Sequence, residues 1–203
     1  SGILLDDNDI ETTTHVLGWY EAGLPVKPEE SLTFVIGGDV MLARLIDTVF
    51  REDFTDVASE LGDRVFWGVD AGIINLEGAI SNERVYEPNP RTFNFVFQPE
   101  SVDLLNYLRI NAVSLANNHS DNNGLDGHKI TKEMLSQNDI VYTGGPNANN
   151  IEEVAIVEGE GINLVVIGVH VLRPFDDVGP LIEEYKQDKD NRVMVLPHWG
   201  TEY

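Results

Sequence analysis

Short apolar runs rich in β-branched residues recur along this chain. Four of them stop abruptly at a group able to bind a cation: FVIGGD at Asp39, GIINLEG at Glu77, VSLANNH at Asn118 and His119, and VMVLPHWG at His198. Runs of this length and composition read as buried strands. Stretches with helical spacing separate them, and this alternation restricts the chain to an α/β architecture with a largely parallel sheet. In such sheets the carboxyl ends of the strands gather along one edge, where residues distant in sequence meet in a crevice. Two carboxylates, an amide and two imidazoles brought to one crevice make a candidate metal site.

The individual elements follow from the same patterns. LTFVIGG reads as a buried first strand, followed by a helix over MLARLIDTVF with Leu42, Leu45, Ile46 and Val49 at helical spacing. GIINL is a second strand, and PESVDLLNYLRI a helix begun by Pro99 that feeds the strand AVSLA. After the turn NNHSDNNG a helix runs through Ile130, Met134 and Leu135 to the short strand IVYTGG. VAIVEGEGINLVVIGV reads as a β-hairpin about Gly159-Glu160-Gly161, PLIEEYKQDKD as a surface helix and RVMVLPH as the last strand. The expected fold is therefore mixed, largely parallel sheet layers flanked by helices. Residues 1–31, acidic and rich in turn formers with a short apolar patch at Val16, Leu17, Trp19 and Tyr20, read as a tether ahead of one domain over 32–203. A length of 203 residues with 42% apolar side chains suffices for one core.

Composition narrows the function. Thirty-five acidic against 13 basic side chains give a formal charge of −22, which excludes nucleic acid as a natural partner. The acidity also argues against tight, area-wide binding of a polyanion unless a bound cation locally inverts the field, and plain solubility accounts for most of these charges. Cysteine is absent, which removes disulfides, thiolate catalysis and zinc ribbons but leaves the compartment open. No apolar stretch reaches the length of a membrane span, and the first residues lack the basic and apolar regions of a signal peptide.

Taken singly, the candidate groups keep plainer readings. Asp39, after Gly37-Gly38 and before a helix, fits a helix N-cap more readily than a ligand. Asn75 and Glu77 fall on one face by strand alternation, and a buried carboxylate at Glu77 needs a partner: a divalent cation, Arg44 or Arg84. The amide oxygen of Asn118 suits hard cations, and His119 can ligate a metal or protonate a leaving group. The alternative there is an Asn-built turn with a structural His, steadied by Asp121 or Asp126. His198 and His170 both end strands and both read equally as core histidines. His15 and His128 have no such position and no assigned role.

The series GGDVMLAR, INLEGAI, SLANNHSDNNG and PHWGTEY, in that order between about Leu32 and Tyr203, resembles the CapA family, associated with poly-γ-glutamate capsule synthesis. The domain of that family is similar to the calcineurin-like metallophosphoesterases. The resemblance implies a metallophosphatase-like fold with Asp39, Glu77, Asn118 and His198 as metal ligands. They would hold one or two divalent ions (manganese, magnesium, calcium, zinc or iron), with Glu77 as the natural bridge between two. It makes His119 a catalytic acid or transition-state stabiliser beside Asp39, with Arg44, Asn75 and Glu202 around them. His170 joins these as a candidate substrate contact.

Three departures from the pattern stand out. Met41 occupies the place of a phosphoesterase His, and Asn122 the place of an acidic residue three positions after the motif His. The chain also ends at Tyr203, ahead of a Gly-His-x-His-like segment, so the fold is expected to be carboxy-terminally incomplete.

The function implied is that of an extracytoplasmic protein of the cell envelope, anchored to the membrane through a segment outside this chain. It would handle an anionic polymer such as poly-γ-glutamate, with capsule synthase subunits as partners. Two other readings use the same residues: a metal-dependent hydrolase of phosphoesters or of γ-glutamyl polymer, and a noncatalytic scaffold of a capsule export complex.

Overall fold

In the computed structural model the described residues are 31–50, 53, 55–56, 66, 68–82, 93–147, 153–172 and 177–200. Residues 1–30 of the 1–31 tether, His15 among them, and Arg84 and Glu202 lie outside them. Strands β1 (Phe34–Val40), β2 (Ala71–Leu76), β5 (Ile110–Ser114) and β6 (Val141–Thr143) form a fully parallel sheet in the order β1-β2-β5-β6. β3 (Ala79–Ile80) and β4 (Val96–Phe97) pair as a short parallel ribbon. The hairpin forms where the glycines placed it, with β7 (Ala155–Gly159) antiparallel to β8 (Ile162–His170), and β9 (Asn191–His198) adds parallel to β8.

Two sheets therefore pack face to face, with helices on the outside. Ile74, Leu76 and Val113 turn to one face of the first sheet. There they meet Leu104 and Leu105 of α2 (Ser101–Tyr107) and Leu135 of α3 (Gly124–Gln137). Ile46 and Phe50 of α1 (Leu45–Phe50) pack on the same core, so the crossovers of the first sheet lie on one side of it, as right-handed connections advancing in one direction require. Ile73 and Ala112 turn the other way and pack against Val157, Leu164 and Val166 of the second sheet. Val165, Ile167 and Val169 cover its far face against Leu181 and Ile182 of α4 (Gly179–Tyr185). The expectation of an α/β protein with largely parallel sheets is met, in an α/β/β/α layering. The strand β2, buried at all six positions, lies between β1 and β5 with apolar layers above and below it, and β5 in turn lies between β2 and β6.

Several local expectations are corrected. β1 is an edge strand among the described residues rather than a buried one: Phe34 and Ile36 are 39% and 44% exposed, because among the described residues β1 pairs with β2 alone. An apolar β-branched run reveals a strand, but its place in the sheet is set by pairing far along the chain. The first helix begins at Leu45, not at Met41, because Arg44 takes a left-handed φ of 60° that breaks the helical path. Asp39 lies inside β1, paired with Asn75, so the helix-cap alternative for it falls. α2 starts two residues after Pro99, whose carbonyl accepts from Val102 N at 3.1 Å, and α4 ends at Tyr185 rather than continuing toward Asp190.

Candidate metal centre

The carboxyl ends of β1, β2, β5 and β9 deliver the candidate ligands to one place. Between Ile36↔Ile73 and Asp39↔Asn75, β1 advances one residue more than β2, so a bulge at Gly37-Gly38 turns Asp39 toward the sheet edge. A Cβ on Gly37 would stand only 3.0 Å from Ile74 Cγ2. Glu77 follows β2 directly, its N–H donating to Val40 O at 3.0 Å. The next residue must be glycine: Gly78 has φ 152°, and a Cβ there would stand 2.4 Å from Phe97 Cζ and 2.6 Å from Phe95 O. Beyond β5 the chain turns through Leu115 and Ala116 into Asn117, Asn118 and His119.

These groups form one hydrogen-bonded cluster. Asn75 Nδ2 donates to Asp39 Oδ1 at 2.7 Å and faces His198 Nδ1 at 3.2 Å. His198 Nε2 lies 3.0 Å from Asn118 Oδ1 and 3.9 Å from Glu77 Oε1, and its Nδ1 lies 3.7 Å from Asp39 Oδ1. His119 Nε2 stands 3.9 Å from the same Glu77 oxygen. Asn75 and Glu77 thus reach one face, as alternation requires. The Glu77 side chain is only 14% exposed while that of Asp39 is 54% exposed, so the site has a wet side at β1 and a dry side at β2.

His119 is held from two directions. Its Nδ1 meets Asn122 Oδ1 at 2.8 Å, and that oxygen also accepts from Phe95 N at 2.6 Å. A backbone N–H can only donate, which identifies the Asn122 atom as oxygen and makes His119 Nδ1 a donor. Nε2 is then the bare nitrogen of the neutral ring, and it is the one turned toward Glu77. The Phe95 ring lies 4.2 Å away, centroid to centroid, and fixes the imidazole plane. Asn122, at the position where the resemblance led to an acidic residue, does the steadying that Asp121 and Asp126 were expected to do.

A pocket of about 680 Å³ opens over this cluster, with Arg44, Phe93 and the well-exposed Trp199 on its wall. The Arg44 guanidinium lies 5.8 Å from the Phe93 ring centroid, and Met41 also lines the pocket. His170 is buried behind His198, its Nδ1 3.3 Å from Pro146 O and its ring edge-on to His198 at 6.1 Å. His128 lies on α3, its Nδ1 3.3 Å from Ser120 O, and burial pulls its pKa below the ordinary value.

By chemistry the donors fit a divalent ion: carboxylate, amide and imidazole groups suit Mg, Mn, Ca or Zn in differing proportions. Ligands about 2.1 Å from an ion stand roughly 3.0–3.4 Å apart. The Asn118–His198 pair matches that spacing, while the contacts of Glu77 and Asp39 with the imidazoles are wider by a few tenths of an ångström. Among the described residues no three His, Asp or Glu side chains converge on a single point in ligating geometry. The cluster is a gathered donor set rather than a closed cage.

Sequence reasoning passed over Asn117, which ties the cluster to the backbone. Its Nδ2 donates to Asn75 Oδ1 at 3.0 Å and to Leu76 O at 2.9 Å, and its Oδ1 accepts from His119 N at 3.0 Å. The available signal was the amide doublet Asn117-Asn118 itself, in which only the second residue drew a ligand role.

Paired sheets with helices outside, and acid, amide and imidazole groups at the carboxyl ends of the strands, define an α/β protein of metallophosphatase-like architecture. Within that class the chain belongs to the bacterial capsule synthesis protein PGA_cap family, which matches residues 33–203. It is 25% identical over 197 residues to the PGA biosynthesis protein CapA of Bacillus subtilis (strain 168), covering 85% of this chain and 50% of that protein. It is 23% identical over 207 residues to the capsule biosynthesis protein CapA of Bacillus anthracis, covering 90% of this chain and 50% of that protein. The chain spans about half the length of the curated relatives it matches. A capsule biosynthesis protein of CapA type is therefore the family assignment.

Proposed function

We propose that this chain handles poly-γ-glutamate or a related anionic envelope polymer, outside the cytoplasm, through a divalent ion held by Asp39, Glu77, Asn118 and His198. One observation carries the reading: strand ends far apart in sequence set three side chains within 3.0–3.9 Å of His198, Asn118 and Glu77 at its Nε2 and Asp39 at its Nδ1. With a formal charge of −22, the protein repels a polyanion, and a cation at the cluster would locally invert that field where the polymer meets Asp39 and Glu77. The ion supplies that bridge and a Lewis acid for carboxylate or phosphate oxygens. The protein's own residues do the rest. Asn75 holds Asp39 in place, Asn122 and Phe95 fix His119, and Arg44 offers a fixed positive charge on the pocket wall for a second acidic group of the polymer.

Capsule synthase subunits are the partners proposed for the whole protein. Among the described residues no helix is long and apolar enough to cross a membrane. The test is fluorescence anisotropy of labelled poly-γ-glutamate with the chain, with manganese and with chelator. Binding that needs the ion and weakens at least about tenfold in Glu77→Gln supports the reading; binding that ignores both overturns it.

A second reading, a metal-dependent hydrolase, is favoured by the bare Nε2 of His119 beside Glu77. An imidazole so placed can take a proton and return it to a leaving group. Cleavage of an aryl phosphate or shortening of the polymer, abolished by chelation and by His119→Ala, is the expected outcome. Unchanged polymer length and no phosphate release remove this reading while leaving the first.

A further inference from the structure

The cluster contains a chain of amides whose orientation is fixed at the backbone, and it dictates where the proton of His198 sits. Leu76 O can only accept, so the Asn117 atom 2.9 Å from it is the NH₂ group. His119 N can only donate, so the Asn117 atom 3.0 Å from it is the oxygen. The two backbone groups agree on a single orientation for Asn117. Its NH₂ then also faces Asn75 at 3.0 Å, which must present its oxygen there. The NH₂ of Asn75 is therefore turned to the other side, where it donates to Asp39 at 2.7 Å and meets His198 Nδ1 at 3.2 Å. A donor at Nδ1 requires a lone pair on that nitrogen. The ring proton is consequently on Nε2, donated to Asn118 Oδ1 at 3.0 Å. His119, by contrast, carries its proton on Nδ1.

We propose that Asn117 and Asn75 are positioning residues that fix both the ring orientation and the tautomer of His198. In the ion-free protein they leave Nε2 protonated and His119 as the imidazole with its bare nitrogen toward Glu77. The proposal rests on the metal reading for its functional meaning, though not for its geometry. An ion that takes His198 through Nε2 displaces that proton. With the proton on Nδ1, the Asn75 NH₂, held by Asn117 and Asp39, opposes it, and the carboxylate acceptor beside that nitrogen, Asp39 Oδ1, stands 3.7 Å away. Asn75 therefore favours the ion-free tautomer of the ring over the one an ion at Nε2 requires. Replacing the amide by a carboxylate, Asn75→Asp, supplies an acceptor at Nδ1 and removes that preference.

The experiment is long-range ¹H–¹⁵N correlation of the imidazole nitrogens in chelator-treated protein labelled with ¹⁵N-histidine. Assignment uses His198→Gln and His119→Gln. In the parent, the expected result is a bare Nδ1 and protonated Nε2 for His198 and the reverse for His119. In Asn75→Asp the His198 pattern inverts. A parent spectrum with His198 bare at Nε2, or one that Asn75→Asp leaves unchanged in a folded protein, overturns the proposal. Because the parent needs no substitution, a poorly folding variant does not rescue it. Manganese titration of the same samples separates the two ideas. The expected tautomers without any ion effect on the His198 nitrogens uphold the relay and defeat the metal reading. Ion-induced changes in a parent that already has Nε2 bare do the opposite.

Discussion

Replacing Asn117 by alanine removes three hydrogen bonds of 2.9–3.0 Å from a fully buried position. Leu76 O keeps a second donor, the Gly78 N–H at 3.1 Å, so it is not stripped. His119 N–H and the buried Asn75 Oδ1 lose their Asn117 partner, and each such group costs about 1–3 kcal/mol. The expected destabilisation is therefore about 2–6 kcal/mol, centred near 4. With an m value of about 2 kcal/mol/M for a domain of this size, the urea midpoint falls by roughly 2 M. Asn118→Ala is the control. Asn118 is half-buried and its side-chain oxygen meets His198 at 3.0 Å, a hydrogen bond whose loss costs about 1 kcal/mol, so a smaller shift of roughly 0.5 M is expected. Urea unfolding followed by tryptophan fluorescence and far-UV circular dichroism reads both. Equal midpoint shifts for Asn117→Ala and Asn118→Ala would refute the claim that the first residue builds the site and the second serves it.

Other consequences are as specific. Gly78→Ala forces a methyl group into Phe97 and the Phe95 carbonyl, so a loss of about 3 kcal/mol and a fall in melting temperature of about 6–12 °C are expected; a change within 2 °C would contradict the geometry. Ile36 on the exposed edge and Ile74 in the core make a matched pair: Ile36→Ala costs about 1 kcal/mol or less and Ile74→Ala about 2–5 kcal/mol in urea unfolding, and the reverse order would restore β1 to the interior. His128 titrates lower in the folded chain because burial disfavours its charge, so the unfolded state takes the proton first. Its stabilising contribution is complete above about pH 6.5 and declines as pH falls below that value toward the folded pKa. The midpoint loss between pH 7.5 and 5.5 is accordingly smaller in a folded His128→Gln variant than in the parent, and an equal loss removes His128 as the cause.

Much of this molecule could be read from local pattern. The alternation of β-rich runs with helical spacing gave the α/β class, the glycines gave the β7–β8 hairpin, and polar groups at strand ends gave Asp39, Glu77, Asn118, His119 and His198 as neighbours. Pairing and shape were not local. Nothing in LTFVIGG tells that its strand has one neighbour among the described residues, and nothing in MLARLIDTVF tells that Arg44 adopts a left-handed backbone. The roles of Asn117 and Asn122 depend on where Leu76 O, His119 N and Phe95 N end up, which only the folded chain decides. Residues that touch a ligand carry a chemical signature in sequence, whereas residues that hold those groups in place show it only through their contacts.

The central claim is that the strand-end cluster binds a divalent ion. Calorimetric titration of the chelator-treated chain with manganese tests it directly, alongside Asp39→Ala and Glu77→Ala. The account predicts saturable binding in the parent, weakened at least about tenfold in each variant while circular dichroism shows both still folded. No heat of binding in the parent, or the same affinity in all three proteins, would contradict it.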